Sequence, residues 1–250
     1  MITVPMAPDR TRVQDVAGAV FDCDGILVDS EQPWLDLMEG YLRELGITEF
    51  SGETMRGMTA DEAVTTLHEL VRHHGGDTAG SAGSASARNA SLPTASDVDR
   101  AYSAALEGLA TPMPGAPELV RALSGTVPLA VASNGRREDV HGLLRRAGLL
   151  DLFDVVVTIE DVDRGKPAPD PYLRAMQRLG NPPGTTIAFE DSVLGSQAAH
   201  DAGCTVVGVN QDLALPLVAD VRLRSLDESG FDHERRALEV RRPTSTRRHQ

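Results

Sequence analysis

The apolar positions of this chain follow two rhythms. Five short, nearly unbroken apolar runs read as strands: "AGAVF" (17–21), "VPLAVA" (127–132), "DVVVT" (154–158), "TTIAF" (185–189) and "CTVVGV" (204–209). A strand with one wet face alternates apolar and polar residues. Unbroken runs are what strands covered on both faces show, as in a parallel sheet. Between the later runs the period becomes helical. "REDVHGLLRRAG" puts Val140, Leu143, Leu144 and Ala147 on one face and stops at Gly148, and "DPYLRAMQRLG" groups Leu173, Met176 and Leu179. This alternation predicts the α/β class, with a doubly wound parallel sheet as its core.

The long stretch between the first two strands is helical throughout. "PWLDLMEGYLRELG" aligns Trp34, Met38, Tyr41, Leu42 and Leu45; "ADEAVTTLHELVRHH" aligns Val64, Leu67, Leu70 and Val71; "SDVDRAYSAALEGLA" aligns Val98, Ala101, Tyr102, Ala105 and Leu109. The reading is an inserted helical cap domain over 31–112, which splits the core into 1–30 and 113–235. Residues 75–96 are rich in Gly, Ala and Ser and too poor in apolar surface to order themselves, so they are expected to be a flexible loop. The arginine-rich end, 236–250, is expected to be a disordered tail.

Composition narrows the function. Hydrophobic residues make up 41% of the 250, enough for a core, and the formal net charge of −13 argues against a general binder of nucleic acid or anionic membrane. An acidic protein still binds a phosphate locally, through backbone N–H groups, one cation and a metal. Two cysteines, Cys23 and Cys204, give no disulfide framework and fit a reducing compartment. Cys23 reads as strand filler rather than a nucleophile. No membrane-length apolar run and no signal-peptide pattern is seen, so a cytoplasmic monomer is the expectation.

Ligands of open parallel sheets bind beyond the carboxyl ends of the strands. Four of the strands here end in chemically loaded residues. The first leads into Asp22 and Asp24, which strand alternation would place on one face. The second ends in "SNG", Ser133 to Gly135; the third leads to "RGKPAPDP" with Lys166; the fourth ends in "EDS", Glu190 to Ser192. Three or four carboxylates without clustered His or Cys suit a hard cation, Mg²⁺ first. A lysine and a serine hydroxyl suit a phosphoryl group. One carboxylate can attack phosphorus, and a second can protonate the leaving oxygen and then activate water. Lys166 is the only lysine of the chain, retained at the loop where a compact charge is useful.

At "DCDGILVDSE", "SNG", "GKPAPDP" and "FEDSVLGSQAAHDAG" the chain resembles the haloacid dehalogenase superfamily of phosphohydrolases, and within it the sugar-phosphatase and β-phosphoglucomutase-like branch with a helical cap. The resemblance covers about 17–227 and implies the following roles. Asp22 is the nucleophile and Asp24 the general acid and base. Asp22, the Asp24 backbone carbonyl and Asp191 hold Mg²⁺, with Glu190 in the outer shell. Ser133 and Lys166 bind phosphoryl oxygens with Asn134 as helper, and Gly25 lets the backbone approach them.

The branch implies a small-molecule phosphate ester as substrate, a sugar or polyol phosphate, reached from the cap by Glu31, Trp34, Arg56 and Thr59. Trp34 has a second reading, as a staple of a cap helix. A mutase of the β-phosphoglucomutase type is the alternative, disfavoured by a cap without lysine. A phospho-accepting receiver is a further one; its acidic pair would precede the phospho-accepting strand, and its domain would be shorter.

Overall fold

The computed structural model describes residues 10–56, 58–74, 92–106 and 111–241. Most of the expected flexible loop, 75–91, and the end of the expected tail, 242–250, lie outside these residues. The chain divides into two compact units, Ser30–Leu109 and the segments on either side of it.

The flanking unit is the core. Its elements are β1 (Arg10–Val13) and β2 (Gly18–Phe21) before the insertion. After it come α4 (Ala116–Leu123), β3 (Leu129–Ala132), α5 (Arg137–Arg146), β4 (Val155–Val157), α6 (Asp170–Leu179), β5 (Thr186–Glu190), α7 (Val193–Asp201), β6 (Thr205–Val209), β7 (Val221–Leu223), β8 (Ser229–Asp232) and β9 (Ala237–Arg241). A six-stranded sheet has the order β4-β3-β2-β5-β6-β7, with every pairing parallel. The five apolar runs form five of these strands. The chain winds outward from β2 through β3 to β4, then returns to β5 on the other side of β2. The order therefore reverses at β2, and in open sheets of this kind ligands bind beyond the carboxyl end of the strand at such a reversal.

Phe21 and Phe189 anchor that end. They share a register in the β2–β5 pairing and stack with centroids 4.5 Å apart at 11°, and Phe153 meets Phe21 edge-on at 5.8 Å. Both stacked rings are fully buried. The strand positions that precede Asp22 and Glu190 are thus locked by aromatic packing.

Two sequence expectations change here. The grouping of Leu173 with Met176 and Leu179 gives way to a buried face of Tyr172, Ala175 and Met176, while Leu173 is 44% exposed. One residue turns a helix by about 100°, so the apolar period accepts either neighbour; Tyr172 takes the inward place because its hydroxyl finds a buried partner. The expected disordered tail begins instead as a strand: Ala237–Arg241 pairs antiparallel with both β1 and β8. Ala237, Leu238 and Val240 are buried there, an apolar content that the surrounding arginines mask in the sequence.

The inserted unit holds α1 (Glu31–Glu44), α2 (Ala60–His74) and α3 (Ala95–Leu106) around its own core of Trp34, Leu35, Met38, Leu42, Met55 and Leu67. The Trp34 indole N–H donates to the Met55 carbonyl at 2.8 Å, and its ring meets Tyr102 edge-on at 5.4 Å. Among the described residues no helix is long and apolar enough to cross a membrane.

Candidate active site

β2 stops at Phe21, but its ladder continues one residue further: the Asp22 N–H donates to the Phe189 carbonyl at 3.0 Å. The chain then turns. The N–H groups of Leu27 and Val28 both donate to the Cys23 carbonyl, and that of Gly25 donates to Val28. Asp24 therefore lies past the end of β2, where it bridges to Val28 across the turn 25–27 and stays close enough to Asp22 for the two charges to repel. Gly25 has φ +70°, and a Cβ there would fall 2.1 Å from Asp191 Oδ2. Glycine is needed for both reasons.

Beyond β3, the buried Ser133 donates to Asp24 Oδ2 at 3.3 Å and accepts the Gly135 N–H at 2.9 Å. Asn134 spends its amide on Lys166: its Oδ1 accepts the Lys166 N–H at 2.8 Å and its Nδ2 donates to the Lys166 carbonyl at 3.1 Å. The residue expected to help hold a phosphoryl group is thus a clamp on the backbone of the lysine.

Lys166 reaches to the centre. Its Nζ donates to Asp22 Oδ1 at 2.7 Å and to Glu190 Oε1 at 2.6 Å, with its side chain only 6% exposed. Glu190 is fully buried and crowded with donors. Oε1 also accepts the Tyr172 O–H at 2.7 Å, and Oε2 faces the N–H of Asp191 and the N–H and O–H of Ser192. A Cβ on Gly195 would overlap the Glu190 carboxylate, so the first turn of α7 is moulded to it. Ser192 caps that helix by accepting the Gly195 N–H at 3.0 Å. Asn210, beyond β6, donates to the Asp191 carbonyl at 3.1 Å.

Burial raises the Asp22 carboxyl above the usual carboxylate range; Lys166 opposes this, while the Glu190 and Asp24 carboxylates add to it. Burial lowers the Lys166 ammonium, but Asp22 and Glu190 more than offset it, so the lysine stays charged. Burial, with Glu190 and Asp22, pushes the Tyr172 phenol well up, which keeps it a donor. Burial and the two flanking acids push the Cys23 thiol well up, as suits filler rather than a nucleophile.

Asp22, Glu190 and Asp191 bring one carboxylate oxygen each to within 4.8 Å of one another. Asp22 and Glu190 share one ammonium, and the clustered donors are all carboxylate oxygens. This donor set fits a divalent hard cation. Because Glu190 is saturated by N–H and O–H donors, Asp22 and Asp191 are the better direct ligands and Glu190 a support.

Asp22, Asp24, Gly25, Ser133, Asn134, Lys166, Glu190 and Asp191 all belong to the carboxyl end of the core sheet. Glu31, Trp34, Arg56 and Thr59 belong to the inserted unit and have local work there. Arg56 pairs with Glu31 and, at 2.8 Å, with Glu53. Thr59 and Glu62 form a reciprocal cap at the start of α2. Trp34 is buried as a staple. Sequence reasoning did not find Tyr172, Gly195 or Asn210, and it noted Ser192 in "EDS" without giving it a role. Asn210 had no signal, because it acts across two loops.

The comparisons agree with this geometry. Residues 19–209 match the model of the haloacid dehalogenase-like hydrolases. The chain belongs to this family of enzymes, and is closely related to its sugar-phosphatase and β-phosphoglucomutase-like branch with a cap. It is 32% identical over 218 residues to validoxylamine A 7′-phosphate phosphatase of Streptomyces hygroscopicus subsp. limoneus, covering 86% of this chain and 96% of that one. It is 31% identical over 218 residues to hexitol phosphatase A of Escherichia coli (strain K12), covering 84% and 92%. A crystal structure of a family hydrolase from Deinococcus radiodurans R1, with bound phosphate and sodium, is similar at TM-score 0.66 and 27% identity, covering 86% and 94%.

Proposed function

We propose that the protein is a Mg²⁺-dependent phosphatase acting on a small phosphate monoester, a sugar or polyol phosphate, through an aspartyl phosphate on Asp22. One observation carries the reading: Asp22, Asp24, Ser133 and Lys166 come from three separate strand-end loops into one cluster, where a nucleophile, an acid–base group, a hydroxyl and an ammonium are within reach of one another.

In this mechanism a carboxylate oxygen of Asp22 attacks phosphorus in line, and the bond to the leaving alcohol oxygen breaks. Asp24 gives that oxygen its proton. Asp24 then takes a proton from the water that attacks the aspartyl phosphate, releasing inorganic phosphate and restoring Asp22. The Ser133 hydroxyl and the Lys166 ammonium hold phosphoryl oxygens in place through both steps. A cation held by Asp22, Asp191 and the Asp24 carbonyl, with Glu190 behind them, would supply further positive charge to the phosphoryl group.

The sugar or polyol assignment draws on the names of the two phosphatase relatives. A mutase is disfavoured because the sole lysine lies in the core, leaving none in the cap. The test is phosphate release from a panel of sugar, polyol and nucleotide monophosphates, with Mg²⁺ or chelator, for wild type and Asp22→Asn. Mg²⁺-dependent release lost in Asp22→Asn is the expected result. Isomerised sugar phosphate without free phosphate would favour the mutase.

A further inference from the structure

We propose that Tyr172 is a positioning residue for Lys166, acting through the Glu190 oxygen they share and through the face of its own ring. The inference rests on the phosphatase reading for what Lys166 binds, but the placement itself does not depend on it.

A lysine ammonium has three N–H donors. Lys166 directs two of them to Asp22 Oδ1 and Glu190 Oε1, and a phosphoryl oxygen on Asp22 needs the third. The ammonium is thus divided between two buried carboxylates, and the division decides where it stands. Tyr172 bears on that division twice. Its O–H donates to the same Glu190 Oε1 at 2.7 Å, and its ring centroid lies 5.1 Å from Lys166 Nζ. A carboxylate oxygen that already accepts a hydroxyl pulls less on a second donor, so the phenol moderates the hold of Glu190 and keeps the ammonium shared between Glu190 and Asp22, at 2.6 and 2.7 Å. The ring, by a cation–π contact, closes one side of the ammonium to water. A buried tyrosine that merely satisfied its hydroxyl would need one partner; this one sets both its hydroxyl and its ring against the lysine's surroundings.

The chain offers an unusual probe. Because Lys166 is the only lysine, ¹³C-lysine labelling gives one ε-methylene signal. In wild type that signal should be displaced by the Tyr172 ring current, and in Tyr172→Leu it should return toward free-lysine values. Tyr172→Phe keeps the ring and loses the O–H. It should retain the ring-current displacement, while kcat/KM and the affinity for inorganic phosphate each fall about tenfold, the scale expected for one hydrogen bond to a charged group.

An undisplaced ε-methylene signal in wild type overturns the proposal, and this reading survives even if the variants do not fold. So does a Tyr172→Phe protein with a lowered Tm but kinetics and phosphate affinity within twofold of wild type, which would be a tyrosine that only packs. Failure of the phosphatase reading looks different: wild type would release no phosphate from any ester, and the lysine signal would still decide the place of Tyr172.

Discussion

The carboxylate of Asp191 lies directly against the bare α-carbon of Gly25, so close that a Cβ would fall 2.1 Å from its Oδ2. A turn after one strand and an acid after its neighbour are therefore built as a single fitted surface. Gly25→Ala meets that clash and, at φ +70°, a left-handed cost of about 1–2 kcal/mol. Calorimetric titration with Mg²⁺ should show affinity reduced about tenfold or more as Asp191 is displaced. Wild-type Mg²⁺ affinity in this variant would mean that the glycine serves the turn alone.

Lys166→Met should have two effects. Phosphatase activity should fall by at least about a hundredfold, since the ammonium no longer holds the phosphoryl oxygens. The metal-free protein should also lose about 3–5 kcal/mol, because Asp22 and Glu190 are left buried without their cation. Thermal scans with and without Mg²⁺ check this; part of the lost stability should return with the metal.

A third prediction concerns acid. Asp161, beyond β4, accepts the N–H and O–H of Thr158 at 3.0 Å and pairs with Arg178 at 2.8 Å and Arg137 at 3.1 Å. Burial pushes its carboxyl up, but these hydrogen bonds more than offset it and hold it well below the usual range. A depressed folded pKa gives stability that is fully present above the unfolded value of about 3.9 and lost as pH falls through the folded one. Asp161→Asn should be less stable at neutral pH, with a shallower decline below about pH 4. Denaturant melts across that range test it; parallel pH profiles for the two proteins would refute the assignment.

Trp34→Phe removes the indole N–H from the buried Met55 carbonyl and should destabilise the inserted unit by about 1–3 kcal/mol. Far-ultraviolet dichroism is the suitable probe, since the variant loses the only tryptophan of the chain. An unchanged melt would show that the ring alone staples α1.

Much of this molecule was legible before its structure. Unbroken apolar runs gave the parallel strands, and the strand-end rule then brought Asp22, Ser133, Lys166 and Glu190 to one place. What stayed hidden had particular causes. The helical period of "DPYLRAMQRLG" is satisfied equally by Tyr172 and Leu173, so the tyrosine at the lysine could not be separated from its neighbour. Arginines on both sides concealed the apolar positions of β9. Alternation set Asp24 beside Asp22, but β2 ends at Phe21, so the bridge from Asp24 to Val28 was not legible in the pattern. Asn134 has an ordinary amide in the sequence; only the fold shows both ends of it committed to Lys166.

The pairing of β2 bears on how the protein is made. Val20 lies between Ala130 and Ala188, and both partners are encoded after the whole inserted unit. A nascent chain leaving the ribosome thus exposes the strand that carries the nucleophile long before anything can pair with it. The inserted unit, contiguous in sequence, can collapse first; the central strand must wait. Until β3 and β5 emerge, "GAVF" is an unprotected apolar segment, so synthesis is the stage at which the strand before the nucleophile is exposed for longest.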